Sequence, residues 1–206
     1  MKQIKVKNTY DINIAGIPDT EVNVIKTPSS FVINPLRVKQ FKAKLLVKKQ
    51  DTVKIGTPLY TDKKQSHVQF LSPVAGTITD IEYGDRRSIK KIIISKDKDE
   101  DSIKLFDPIS NIATLPRQDV VNKLLQGGLW ATFKQYPFNA IPKAETVPPA
   151  IYVTIDYDEP HMPNTDVILN KYSNAFLKGL EVIKQLSDSV YVGKSPKSSV
   201  VNKKIH

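Results

Sequence analysis

Val47-Lys48-Lys49-Gln50-Asp51-Thr52-Val53-Lys54-Ile55-Gly56-Thr57-Pro58-Leu59 decides the fold, together with Ser72-Pro73-Val74-Ala75-Gly76-Thr77-Ile78. The first stretch sets a tight turn between two short strands, and the second sets a Pro–Gly turn ahead of another. Around them, residues 44–48, 52–56, 66–70 and 76–81 alternate or cluster apolar side chains over strand lengths. Lys90-Lys91-Ile92-Ile93-Ile94-Ser95 is a β-branched run ending in Lys96-Asp97-Lys98-Asp99-Glu100-Asp101. Nothing in that mixed-charge loop can enter a core, so a domain boundary is expected there.

The second half has a different rhythm. Arg117 to Gln126 reads as an amphipathic helix with Val120, Val121, Leu124 and Leu125 on one stripe, stopped by Gly127-Gly128. Residues 137–149 contain four prolines and are expected to be extended. Ile151 to Ile155 reads as a buried strand and Val190 to Gly193 as another. Between them, Asp166 to Leu186 puts Tyr172, Phe176, Leu180 and Ile183 on one helical face. Strand, long helix and strand make a βαβ unit with a parallel sheet. The expected fold is therefore mixed, with a β-rich domain over residues 1–102 and a partial Rossmann-like α/β domain over 103–206. One βαβ unit is little for a free-standing α/β domain, so an excerpt or a short relative of a longer protein is expected.

Composition narrows the chemistry. The 206 residues contain no cysteine, which removes disulfides, thiolate zinc sites, cysteine-ligated iron–sulfur clusters and cysteine nucleophiles from this stretch. No run of about 18 apolar residues is present to span a bilayer. The net charge is +10; residues 1–100 hold 19 Lys and Arg against 11 Asp and Glu, or +8, and the remainder holds +2. Lysine far outnumbers arginine and aromatics are not interleaved with the cations, so nucleic acid is not the expected partner. A solvated lysine-rich surface is the plain reading of this charge, and an anionic membrane face or acidic protein neighbours are the functional one. A nucleic-acid-binding module remains an alternative that steep salt dependence would reveal.

The two opening stretches resemble the lipoyl/biotinyl-type hammerhead, or barrel-sandwich hybrid. In a carrier of that type a modified lysine sits on an exposed hairpin before the Ser-Pro segment, and Asp62-Lys63-Lys64 lies close to that place. A carrier modified at Lys63 is thus one reading. The long polar interval from Lys63 to Ser72, and the lack of a mobile Ala/Pro linker, favour a fold used without that chemistry.

A wider resemblance runs in order along nearly the whole chain. Asp11 to Pro18, the hammerhead, Gly84-Asp85-Arg86-Arg87 before the Ile92 strand, and Leu125-Gln126-Gly127-Gly128-Leu129-Trp130 with Phe133-Lys134-Gln135-Tyr136-Pro137-Phe138 all take part. So do Ala150 to Val153, Phe176 to Leu180 and Val190 to Pro196. Together they resemble the A subunit of the sodium-translocating NADH:quinone reductase. The resemblance implies a peripheral, non-redox component on the cytoplasmic face of the bacterial inner membrane, in a complex that oxidises NADH, reduces quinone and exports Na⁺. It places NADH, flavins and iron–sulfur centres on partner subunits, and ubiquinone as a possible ligand here. Three departures stand out. Tyr136 replaces an arginine, Gln50 replaces a turn glycine, and the family's C-terminal half is not present.

Candidate sites are few. Trp130, Phe133, Tyr136 and Phe138 form the one aromatic cluster, which suits either a quinone ring or packing of its own loop. Gly127-Gly128 allows close backbone approach to a ligand or a neighbouring protein. Asp156-Tyr157-Asp158-Glu159 follows the first strand of the βαβ unit, where a dinucleotide fold needs a glycine-rich loop, and its carboxylates would repel a pyrophosphate. With Asp166 they are a possible hard-cation site, although no metal site is expected. His67, His161 and His206 are scattered, and no Gly-x-Ser-x-Gly elbow occurs.

Overall fold

The computed structural model describes residues 12, 14–38, 40–109, 111–155 and 160–194. The turn expected at residues 50 and 51 is built as a glycine would build it. Gln50 has φ 73°, in the left-handed region. Its amide donates to the Ile78 carbonyl at 2.8 Å, and the Ile78 amide donates back to Asp51 at 2.9 Å. The Asp51 carboxylate accepts from the Lys48 amide at 2.9 Å and closes the turn. Glutamine in a glycine position is thus held by hydrogen bonds on both sides.

Seven strands follow from the alternating segments: β1 (Ser30–Ile33), β2 (Ala43–Leu45), β3 (Thr52–Val53), β4 (Pro58–Asp62), β5 (Gln69–Leu71), β6 (Gly76–Tyr83) and β7 (Ile89–Lys96). They form two antiparallel sheets, in the orders β1-β7-β6-β3 and β2-β4-β5. Both sheets supply one core, with Val53, Ile78, Ile92 and Ile94 from the first and Leu59 and Tyr60 from the second. On β7, Ile92 and Ile94 point inward at the strand's two-residue period. Ile89 is also inward because the register slips between Glu82 and Tyr83 on the facing strand. Gly76 is required by closeness: a β-carbon there would lie 2.1 Å from the Ser95 carbonyl oxygen.

The chain after β7 stays on this β unit. The Ile55 amide donates to Asp101 and the Ile103 amide to Ile55, each at 2.9 Å. Helix α1 (Arg117–Gln126) has the expected bounds and buries Val120 and Val121. It ends in a Schellman arrangement, with the Leu129 amide on Leu124 O at 2.9 Å and the Gly128 amide on Leu125 O at 3.0 Å. The compact unit is therefore Ile25–Pro148, and the other takes Met1–Val24 with Pro149–His206. The packing does not divide at residues 102 and 103. The mixed-charge loop carries no core residue, but its flanking backbone is hydrogen-bonded to the β unit, and α1 travels with it.

The second unit contains β8 (Ile151–Thr154), α2 (Thr165–Lys184) and β9 (Val190–Gly193). β8 and β9 pair in parallel, Ile151 opposite Val190, as a βαβ unit requires. Asn164 caps α2 by accepting from the Asp166 amide at 2.9 Å. The Thr165 hydroxyl donates to Ile155 O at 3.0 Å and ties the helix start to the strand end. Leu180 is buried and Phe176 and Ile183 are half-buried on the expected stripe. Tyr172 departs from it: its backbone, at φ −114° and ψ 20°, kinks the helix and leaves the ring exposed, with the Lys171 ammonium 5.5 Å above it. Among the described residues no helix is long and apolar enough to cross a membrane.

Candidate functional site: an aromatic turn on the β unit

The chain leaves the glycine-rich end of α1 with its direction set by Gly128. This residue has φ 69°, and a β-carbon on it would sit 2.9 Å from Leu71 Cγ. The close approach that Gly127-Gly128 allows is thus made to β5 of the same unit. It delivers Trp130 into the core at 4% exposure, where the indole N–H donates to Pro142 O at 2.9 Å. Phe133 packs on it with ring centres 5.3 Å apart.

The other two aromatics go elsewhere. Gln135 and Ala140 pair across a short turn, the Gln135 amide donating to Ala140 O at 2.7 Å. Tyr136 and Phe138 lie on the loop between, joined through a cis Tyr136–Pro137 peptide, and are 81% and 71% exposed. Gln40 steadies the loop by donating to Phe138 O at 3.3 Å. The structure therefore brings Trp130 and Phe133 together as a packed pair and presents Tyr136 and Phe138 to solvent. Sequence spacing cannot separate these, since all four fall within nine residues.

Beside the turn lies a cleft of about 220 Å³, walled by Phe41, Asp62, Gln65, Gln135, Ile141 and Lys143. Asp62 is buried at the end of β4, and its carboxylate accepts from the Lys64 amide at 3.0 Å. Gln65 Oε1 is buried without a hydrogen-bond partner, an arrangement costly enough to mark a place for a donor. Lys64 and Lys143 also border the cleft. It joins an aromatic edge to polar groups of both kinds, which suits a flat ring with polar substituents. Sequence reading passed over Asp62 and Gln65. The available signal was a carboxylate closing the strand-like run Pro58-Leu59-Tyr60-Thr61.

Lys63 does not stand on a minimal exposed turn. Its amide donates to Lys42 O at 2.9 Å, continuing the β2–β4 ladder, and β5 is reached through a longer loop. A carrier's swinging arm needs the opposite. His67 and His161 are exposed and belong to different units, His161 at φ 63°, and His206 lies outside the described residues. Asp156, Asp158 and Glu159 also lie outside them, and among the described residues no group of three histidine or acidic side chains is placed to hold a metal ion.

Comparison with known proteins matches the chain in two segments that divide between residues 97 and 115, whereas the compact units divide between 148 and 149. Residues 4–97 match the NqrA N-terminal barrel-sandwich hybrid domain, and residues 115–206 match the NqrA second alpha/beta domain. The A subunit of the Na(+)-translocating NADH-quinone reductase from Pseudomonas aeruginosa strain UCBPP-PA14 is 31% identical over 184 residues, covering 89% of this chain and 41% of that protein. The protein of the same name from Vibrio anguillarum is 31% identical over 208 residues, covering 98% of this chain and 47% of its own. That from Marinomonas sp. strain MWYL1 is 30% identical over 184 residues, with 89% and 41% covered. The chain thus spans less than half the length of the curated relatives it matches. With the hammerhead turns and the βαβ unit matched one after the other, the chain belongs to the NqrA family and comprises its N-terminal barrel-sandwich hybrid domain and its second α/β domain.

Proposed function

We infer that this chain is a scaffolding part of the A subunit in a Na⁺-translocating NADH-quinone reductase, and that its aromatic turn contributes to quinone binding. The observation that carries the reading is the ordered match to both domains of the relatives that bear that name. In this reading Tyr136 and Phe138 supply flat apolar walls for the quinone ring. Trp130 and Phe133 work from beneath by fixing the loop. Lys64 and Lys143 at the neighbouring cleft are donors for the quinone oxygens. In this reading NADH oxidation, flavins and iron–sulfur centres belong to partner subunits, and these 206 residues contain no cysteine to ligate a cluster. The chain sits peripherally at the cytoplasmic face of the bacterial inner membrane, its basic first hundred residues turned to anionic lipid or acidic protein neighbours.

Trp130 is the single tryptophan and reports on the segment directly. Titration with ubiquinone-1 should quench its fluorescence saturably. The exposed-site variant Tyr136→Ser/Phe138→Ser should weaken that binding about tenfold with an unchanged melting temperature. Quenching that is absent, or identical in the variant, ends the quinone assignment. Membership of the complex has a separate test: tagged chain should retain the partner subunits from detergent-solubilised membranes, and recovery of the chain alone overturns it.

A further inference from the structure

A second and larger cleft, of about 380 Å³, opens where the β6–β7 hairpin meets the chain entering β2 and the residue following β4. Lys42, Lys63, Arg86 and Arg87 line it, with Asp85 as the one carboxylate. Four cations and one carboxylate leave a net +3. None of the four is ion-paired to a carboxylate among the described residues, whose ion pairs all lie elsewhere. The floor is apolar: Pro35 and Ile89 are buried and Phe41 is half-buried.

The hairpin turn supplies an independent reason to regard the charge as purposeful. The Ser88 amide donates to Asp85 O at 3.0 Å, closing a four-residue turn in which Arg86 has φ 54° and Arg87 has φ 58°. Two positive φ values in succession are the geometry of a type I′ hairpin, for which Asn-Gly is the favoured pair. Side chains with a β-carbon are strained there, and arginine brings no compensating local hydrogen bond of the kind asparagine makes. Retained strain at two residues whose guanidinium groups line a cationic cleft points to the charges as what the turn is for.

We propose that this cleft binds a phosphoryl group carried on an apolar body. Guanidinium forks pair two oxygens at once and lysine ammoniums act as point charges, so together they match a group with several anionic oxygens better than a single carboxylate. The apolar floor receives what the phosphoryl group is attached to. A soluble phosphate ester and a phospholipid headgroup share this chemistry. The site shares Phe41 with the cleft beside the aromatic turn but includes no residue of that turn, and it does not depend on membership of the reductase complex.

The test uses the full chain with two probes at low salt: inorganic pyrophosphate followed by calorimetry, and phosphatidylcholine vesicles with and without phosphatidylglycerol followed by co-sedimentation. The variant Arg86→Asn/Arg87→Gly removes both charges and installs the favoured turn, so its melting temperature should hold or rise while binding falls about tenfold or more. Lys48→Gln/Lys98→Gln removes two charges at the opposite end of the β6–β7 hairpin and should leave binding unchanged. Saturable pyrophosphate binding with this pattern supports the site and a soluble ligand. Vesicle binding that needs phosphatidylglycerol and shows the same pattern supports it and a lipid. No saturable binding of either probe, or equal losses in the two double variants, overturns it, because general basicity would then account for the data.

Discussion

The two units of this chain bury their apolar residues in different ways. In the β unit, two antiparallel sheets stack on one core, and Leu59, Ile78, Ile92 and Ile94 are all at 0% exposure. In the βαβ unit, two parallel strands are separated by a 20-residue helix, and β8 and β9 bring no fully buried side chain of their own. Tyr152 and Tyr191 stack at 5.2 Å on the outward face with 75% and 53% exposure. Burial there centres on Ile155, Leu180 and Leu186. Seven antiparallel strands in two sheets can enclose side chains between them, as β1 does in pairing with the distant β7. A parallel pair must wait for its crossover, and two strands alone enclose little.

That contrast can be broken by mutation, with denaturation followed at Trp130 for the β unit and by helical circular dichroism, weighted to α2, for the other. Gly76→Ala should have the largest effect, roughly 4 kcal/mol or outright misfolding, because the new β-carbon meets backbone that cannot move aside. Ile92→Ala should cost about 3–4 kcal/mol by leaving a cavity in a core with no solvent access. Leu180→Ala should cost about 2–3 kcal/mol and lower the circular dichroism midpoint more than the Trp130 midpoint. Equal shifts at both probes would mean that the two units unfold as one.

The smallest effect is confined to alkaline pH. Burial pushes the Tyr60 phenol from 10.0 up to about 12, stacked on Phe70 at 4.6 Å. The folded state therefore keeps a proton that the unfolded state releases. Tyr60 contributes fully below pH 10, and its contribution is lost as pH rises towards 12. Tyr60→Phe should flatten the decline in β-unit stability across that window. A decline of unchanged slope would assign it to other groups.

Much of the fold was legible because local rules agreed with the final packing. α1 and β9 have their expected bounds, since a glycine stop and a β-branched run needed no outside help. Gln50 shows how far this extends: the turn survives loss of its glycine because neighbouring amides still find partners. Tyr172 shows the limit. Its spacing is right for the core stripe, yet a backbone kink turns it outward, and periodicity carries no information about a kink.

The hammerhead turns, the βαβ order and the family are all written in the order of the residues, because they depend on contacts between near neighbours and on motifs in series. Only three-dimensional packing assigns residues 103–148 to the β unit, divides the aromatic cluster into a packed pair and an exposed pair, and gathers Lys42, Lys63, Arg86 and Arg87 around one cleft. Those outcomes depend on which distant segments pack together, and a linear spacing does not encode that.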